Sequence, residues 1–154
     1  MSESKMPNAL RPFSWPLALT YFLIAYVLVT LLAAGSSEFY RALTDAPYAH
    51  ELGVAMLEDP AFQATVPVHV LIMGLIFTPV ACLFLRQRRS LTSARLLAWV
   101  WLTAAVIVDF LGFVAIDHAW SLSAEEFYLD YQPWITLIYL AIFGSPHLAW
   151  LIME

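Results

Sequence analysis

Four stretches of this chain are almost wholly apolar for about twenty residues each, and the polar residues gather between them. The stretches fall at residues 15–34, 66–85, 96–116 and 133–153. At ~1.5 Å per helical residue, each is long enough to cross a hydrocarbon layer of ~30 Å. The pattern predicts an all-α polytopic membrane protein, a single transmembrane domain over residues 1–154 with four helices in an antiparallel bundle. The intervening outer loop, residues 35–65, is too patterned to be shapeless. Asp45 is placed to cap a helix with Pro47 in its first turn, Leu52, Met56 and Leu57 recur at helical spacing, and Glu58-Asp59-Pro60 would end it. A short amphipathic helix on the outer membrane surface is expected there, with a further helical piece around 38–43 before it. In the last loop, Ser123 followed by Glu126 fits a capping box, so a brief helix over 124–131 should stop before Pro133.

Periodicity within the stretches assigns their faces. In the third, Ala98, Leu102, Ala105, Asp109, Gly112 and Ile116 recur every three or four residues, a mostly small face that permits close helix packing. In the first, Tyr26 and Thr30 share a stripe with Phe22 and Ala33. In the second, Pro79 frees the carbonyl of Leu75 and predicts a kink, with Thr78 able to back-bond to a neighbouring carbonyl. His69, near the outer end of the same stretch, reads as an interfacial side chain close to water. Trp120 and Trp134 mark one interface, and Trp15 and Trp150 the other.

Composition removes the soluble alternative. Hydrophobic residues make up 62% of 154 and charged residues 12%, with a mean hydropathy of +0.75, whereas a soluble domain is about half apolar. The first run is read as a retained helix, because its apolar length exceeds that of a signal peptide; only the Ala33-Ala34-Gly35-Ser36 ending looks cleavable. The fourth helix reaches Glu154, so no cytoplasmic tail is expected. Cys82 has no second cysteine to pair with and reads as a small buried apolar side chain.

Charge adds an orientation. Lys5 and Arg11 precede the first helix, Arg41 alone lies in the first outer loop, and Arg86, Arg88, Arg89 and Arg95 lie between the second and third. Positive charge concentrates on the cytoplasmic side, so both termini are expected there, in a cell inner membrane. The acids Glu38, Asp45, Glu51, Glu58, Asp59, Asp117, Glu125, Glu126 and Asp130 crowd the opposite face and read as solvated loop carboxylates.

Asp109 is the one charge-capable group set well inside the hydrocarbon, where a charged acid costs ~2.5–3.5 kcal/mol or more. Counting from the outer ends puts it about 10 Å deep, level with Tyr26, Met73 and Tyr139, so the two phenols are its candidate partners. His147 lies about 21 Å down, level with Thr20, Tyr21, Thr78 and Thr103. The candidate polar core is thus Asp109, Tyr26, Tyr139, His147 and Thr78, in two tiers and without a catalytic dyad. Phosphate loops, CxxC, HExxH and GxSxG spacings are absent. The net charge of −5 disfavours nucleic acid. A haem between His69 and His118, or a metal held by Asp117, His118, His69 and loop acids, lacks both burial and spacing, so no cofactor or metal is expected.

Four helices, a long first outer loop and Pro79 in the second helix give a layout broadly similar to the emopamil-binding, sterol-isomerase type of membrane protein. The similarity is architectural, with no shared motif and no acid in the first helix, and no membership follows from it. Two functions fit these residues. The first is a non-catalytic accessory or assembly subunit of a membrane complex, bound to membrane lipid and to other membrane proteins or a second copy. The alternative is a ligand-handling bundle, enzyme or carrier, for a lipid-like or isoprenoid molecule contacting Asp109 and His147. A proton-coupled transporter is a weaker third reading, because four helices must usually oligomerise to make a pathway.

Overall fold

The computed structural model describes residues 12–86, 88–116 and 121–154. Lys5, Arg11, Asp117, His118 and Trp120, which carry part of the charge, metal and interface readings, lie outside these residues. The described chain is all helical, with four helices long and apolar enough to cross a membrane, the mark of a multi-pass membrane protein. They are α1 (Trp15–Thr44), α3 (Pro60–Leu85), α4 (Leu91–Asp109, continued by a π-helical turn over Phe110–Ala115) and α5 (Trp134–Met153); between α1 and α3 lies the short α2 (Ala49–Leu52).

Three of the four long helices start for a visible reason. Pro16 sits in the first turn of α1, where a missing N–H costs nothing. Asp59 caps α3, accepting the N–H groups of Ala61 and Phe62 at 3.0 Å each, and Pro60 follows it at the first helical position. The Ser90 hydroxyl accepts Ser93 N–H at 3.1 Å to open α4. α3 runs as one helix through Pro67 and Pro79. The Thr78 hydroxyl, expected to back-bond, is instead buried without a partner among the described residues.

α3 packs between α1 and α5, and α4 lies against α5 and, less extensively, α1; α3 and α4, consecutive in sequence, barely meet. Their shared core alternates large and small side chains: Phe22, Phe77, Phe84, Leu97, Trp101 and Ile142 interleave with Ala18, Ala25, Ala81, Ala94, Ala105 and Ala149, all fully or almost fully enclosed. Alanines on α1 and α4 let the backbones approach closely enough for the Trp101 indole N–H to reach the carbonyl of Ala18 at 2.9 Å. The expected third-segment face is only partly the buried one. Ala98, Ala105 and Asp109 are enclosed, but Ile116 is exposed and Trp101 takes the central place. Cys82 is partly buried, packed against this core. Leucines such as Leu23, Leu31, Leu71, Leu75 and Leu151 face outward, as lipid contact requires.

The largest departure from the sequence reading is at the outer end. α1 continues ten residues past the expected end at 34, and α3 begins six residues before 66. A hydropathy window detects only the part that matches hydrocarbon, whereas the helix itself persists through Gly35-Ser36-Ser37, whose serine hydroxyls turn back to the Ala33 carbonyl. The residues around 38–43 are therefore the end of α1. Asp45 terminates that helix in the left-handed conformation, φ 51°, instead of starting another. Asp59 starts α3 instead of ending a loop helix, and the amphipathic helix shrinks to the four residues of α2 and a single 3-10 turn, Met56–Glu58.

One ion pair organises what remains of the loop. The Arg41 Nη2 donates to both Asp59 carboxylate oxygens at 3.0 Å, and Nη1 donates to the carbonyls of Ala46 at 3.1 Å and Pro47 at 2.6 Å. The Tyr48 ring stacks on the guanidinium at 3.8 Å, and Asp59 also accepts Ala49 N–H at 3.0 Å. Asp59 is thus buried and paired, not the solvated acid expected. In the last loop the Ser123–Glu126 box forms, with Ser123 N–H donating to Glu126 at 2.7 Å and Glu126 N–H to the Ser123 hydroxyl at 3.2 Å.

Burial pushes the Asp59 carboxyl up, but the Phe62 and Ala49 N–H groups and Arg41 outweigh it and hold the carboxyl below its ordinary value. A depressed carboxyl contributes stability that is present above the usual Asp pKa of ~3.9 and lost as pH falls through the folded value. Asp59→Asn should therefore cost about 1–3 kcal/mol at neutral pH, less than a deeply buried pair because this one sits at the water-facing end. Thermal melts between pH ~3 and ~7 check this: the wild-type protein should lose melting temperature below pH ~4, and the variant should lose much less there.

Candidate functional site

The polar residues that the sequence sets at one depth come together across three helices. Asp109 is the last residue of α4, 6% exposed, just where the backbone widens into a π-helical turn, a deviation often found at functional sites. The Tyr26 hydroxyl, from α1, donates to its Oδ1. Tyr139, from α5, lies beside the same carboxyl, although its own hydroxyl, enclosed, makes no hydrogen bond of ordinary geometry. Buried carboxyls need donors because lipid supplies none, and the phenol of Tyr26 fills that role for Asp109. Tyr131, just before α5, stands on the outer side of this group; burial, and then the Asp109 charge, push its phenol above the ordinary range. Its ring packs on Phe62 at 5.7 Å.

A second polar cluster was missed by the sequence reading. His69 is not an interfacial side chain in water but 5% exposed, because the extended α1 covers it. Its Nε2 lies 3.1 Å from Ser36 Oγ and 3.3 Å from Ser37 Oγ, and Ser37 also meets Thr65 Oγ1 at 2.8 Å. Ser36 Oγ also lies 2.7 Å from Ala33 O, and Thr65 Oγ1 lies 2.8 Å from Ala61 O. The tautomer of His69 sets whether its Nε2 donates to these serines or accepts from them, and either hydroxyl can be the donor between Ser37 and Thr65. The signal available in sequence was the i, i+4 pair Thr65/His69 facing Ser36-Ser37, which reads as loop as long as the first helix is ended at 34.

The inner tier does not assemble. His147 is half-buried and its Nδ1 contacts only the Phe143 carbonyl of its own helix at 3.1 Å. Thr20 back-bonds to Pro16 O at 2.9 Å, Thr103 is exposed, and Thr78 is unpaired. His147 is thus not brought to Asp109.

Two cavities lie away from Asp109 and His147. A space of about 490 Å³ beside the start of α3 is lined by residues including Phe62, Gln63, Glu126, Asp130, Tyr131 and Trp134. A more open hollow of about 450 Å³ surrounds Arg41, Tyr48 and Glu51. Neither is lined by Asp109 or His147. Among the described residues, no three His, Cys, Asp or Glu side chains are grouped as metal ligands would be. Comparison with protein-family models, curated proteins and solved structures finds no match.

The His69 cluster should act as a structural tie between α1 and α3. His69→Ala should cost about 1 kcal/mol in reversible unfolding by denaturing detergent, while His50→Ala, at an exposed position of α2, should leave the midpoint unchanged.

Proposed function

We propose that this protein is an inner-membrane accessory or assembly subunit without catalytic activity of its own, its four helices an antiparallel bundle with both termini in the cytoplasm. The observation that carries this reading is the outer end of α1. The helix is ~45 Å long at 1.5 Å per residue, against ~30 Å of hydrocarbon, and its last turns bare Phe39 and Leu43, 67% and 69% exposed. These two residues are four apart and share one face. Apolar side chains carried past the apolar run suit contact with a second membrane protein.

The inner polar groups support the same reading, since Tyr26 and Asp109 satisfy each other and His147 bonds within its own helix. The ligand-handling alternative needs a cavity that reaches Asp109 or His147, and the 490 Å³ space opens instead among Phe62, Glu126 and Tyr131. The few arginines and acids divide as a cytoplasmic α3–α4 loop and an acidic outer face would require.

A photo-crosslinking amino acid at Phe39 or Leu43, in cells expressing the full chain at native level, tests the reading. Formation of one discrete adduct with another membrane protein, or with a second copy, is expected at those positions and not at lipid-facing Leu75. Crosslinks to lipid alone at all three positions, together with a lone monomer by mass after mild extraction, would overturn it.

A further inference from the structure

The end of the bundle opposite the Arg41–Asp59 pair is cationic and incompletely satisfied. Arg88, in the turn between α3 and α4, is enclosed at 9% exposure. Its Nε donates to the Pro12 carbonyl at 2.6 Å, which ties the turn to the chain just before α1. Its guanidinium carbon lies 5.4 Å from the centre of the Phe84 ring, and Phe13 packs on the same ring at 5.4 Å. Nη1, on the far branch of the fork, is buried and has no hydrogen-bond partner among the described residues. Desolvating an N–H of a charged guanidinium without an acceptor is costly.

Everything around that group favours an anionic acceptor. Arg86, Arg89 and Arg95 flank it and are exposed, and among the described residues none of the four arginines is paired with a carboxylate. The start of α1 lies two residues beyond Pro12. Its cap residue Ser14 makes no side-chain cap, and its first turn contains no acid, so neither Ser14 nor a first-turn carboxylate offsets the positive end of the helix dipole. Trp15, 56% exposed, stands at this level as interfacial tryptophans do. A planar fork held at one branch and open at the other matches a phosphate oxygen, and the headgroup layer is where a membrane presents phosphates.

We propose that this end is a binding site for the phosphate headgroup of an anionic phospholipid, with the Arg88 Nη1 as its buried donor and Arg86, Arg89 and Arg95 as the surrounding field. The site differs from a diffuse basic surface in having one dominant residue. Arg88 anchors the headgroup while its Nε holds the start of α1, so the bound lipid also fixes the α3–α4 turn against α1.

Purified full-length protein in neutral detergent, titrated with phosphatidylglycerol and observed by native mass spectrometry, should show one preferred lipid adduct. Arg88→Gln should weaken that adduct roughly tenfold or more, as expected for loss of a hydrogen bond to a charged group, and exposed Arg89→Gln at most about twofold. Arg88→Lys, which keeps the charge but cannot hold Pro12 and a phosphate oxygen together, should fall between them; it decides the matter if Arg88→Gln fails to fold by circular dichroism. Phosphatidylcholine should not compete, and neither should millimolar inorganic phosphate. Equal losses from Arg88→Gln and Arg89→Gln, wild-type affinity in Arg88→Lys, equal binding of phosphatidylcholine, or displacement by inorganic phosphate would each overturn the site.

Discussion

A polar group carried into hydrocarbon has no water to fall back on, so it must find its partner within the chain. That requirement governs the placement of α1. At one height the Trp101 indole reaches the Ala18 carbonyl, higher up Tyr26 meets Asp109, above that Ser36 and Ser37 meet His69 and Thr65, and at the outer end Arg41 meets Asp59. From Ala18 to Arg41 is 23 residues, ~35 Å of helix. Apolar packing alone would leave α1 free to slide, because lipid tails are as apolar as leucine. Four directional contacts at different heights leave it one register, with α3 on one side and α4 on the other.

The two ends of the bundle meet this requirement differently. At one end, Arg41 and Asp59 are both buried and the loop folds around them, with the Arg41 Nε 3.6 Å from the Glu38 carboxylate and not hydrogen-bonded among the described residues. At the inner end, Arg88 keeps an enclosed N–H without an acceptor, and its neighbours add charge of the same sign. The first end is held by the chain's own ion pair; at the second, the headgroup proposed above would supply the acceptor that Arg88 lacks. The acid in the middle belongs to the closed kind, with its carboxyl engaged by a phenol.

The four crossings could be read from apolar length, and the meeting of Tyr26 with Asp109 from a depth count at constant rise, because both follow from helix geometry. The limits of α1 and α3 could not. A helix does not stop where hydrocarbon stops, and the serines and glutamate after Gly35 gave no apolar signal for the ten further residues of α1. That error moved His69 from a buried, bonded position into water, and assigned Asp45 and Asp59 to the wrong helix ends. Trp101 was missed because a wheel weighted toward small residues does not show that a large ring can fill the space alanines leave. His147 and Thr78 share a depth, yet depth fixes height and not direction around the axis, and no inner site forms.

The central claim is that directional polar contacts, and not apolar matching alone, hold α1 in register. A double-mutant cycle on Tyr26→Phe and Asp109→Ala, measured by reversible unfolding of the full chain in mixed micelles, tests it most directly. Coupling of roughly 0.5–1.5 kcal/mol between the two substitutions is predicted. Additivity within ~0.3 kcal/mol would mean that the pair meets without holding anything, and would contradict the account.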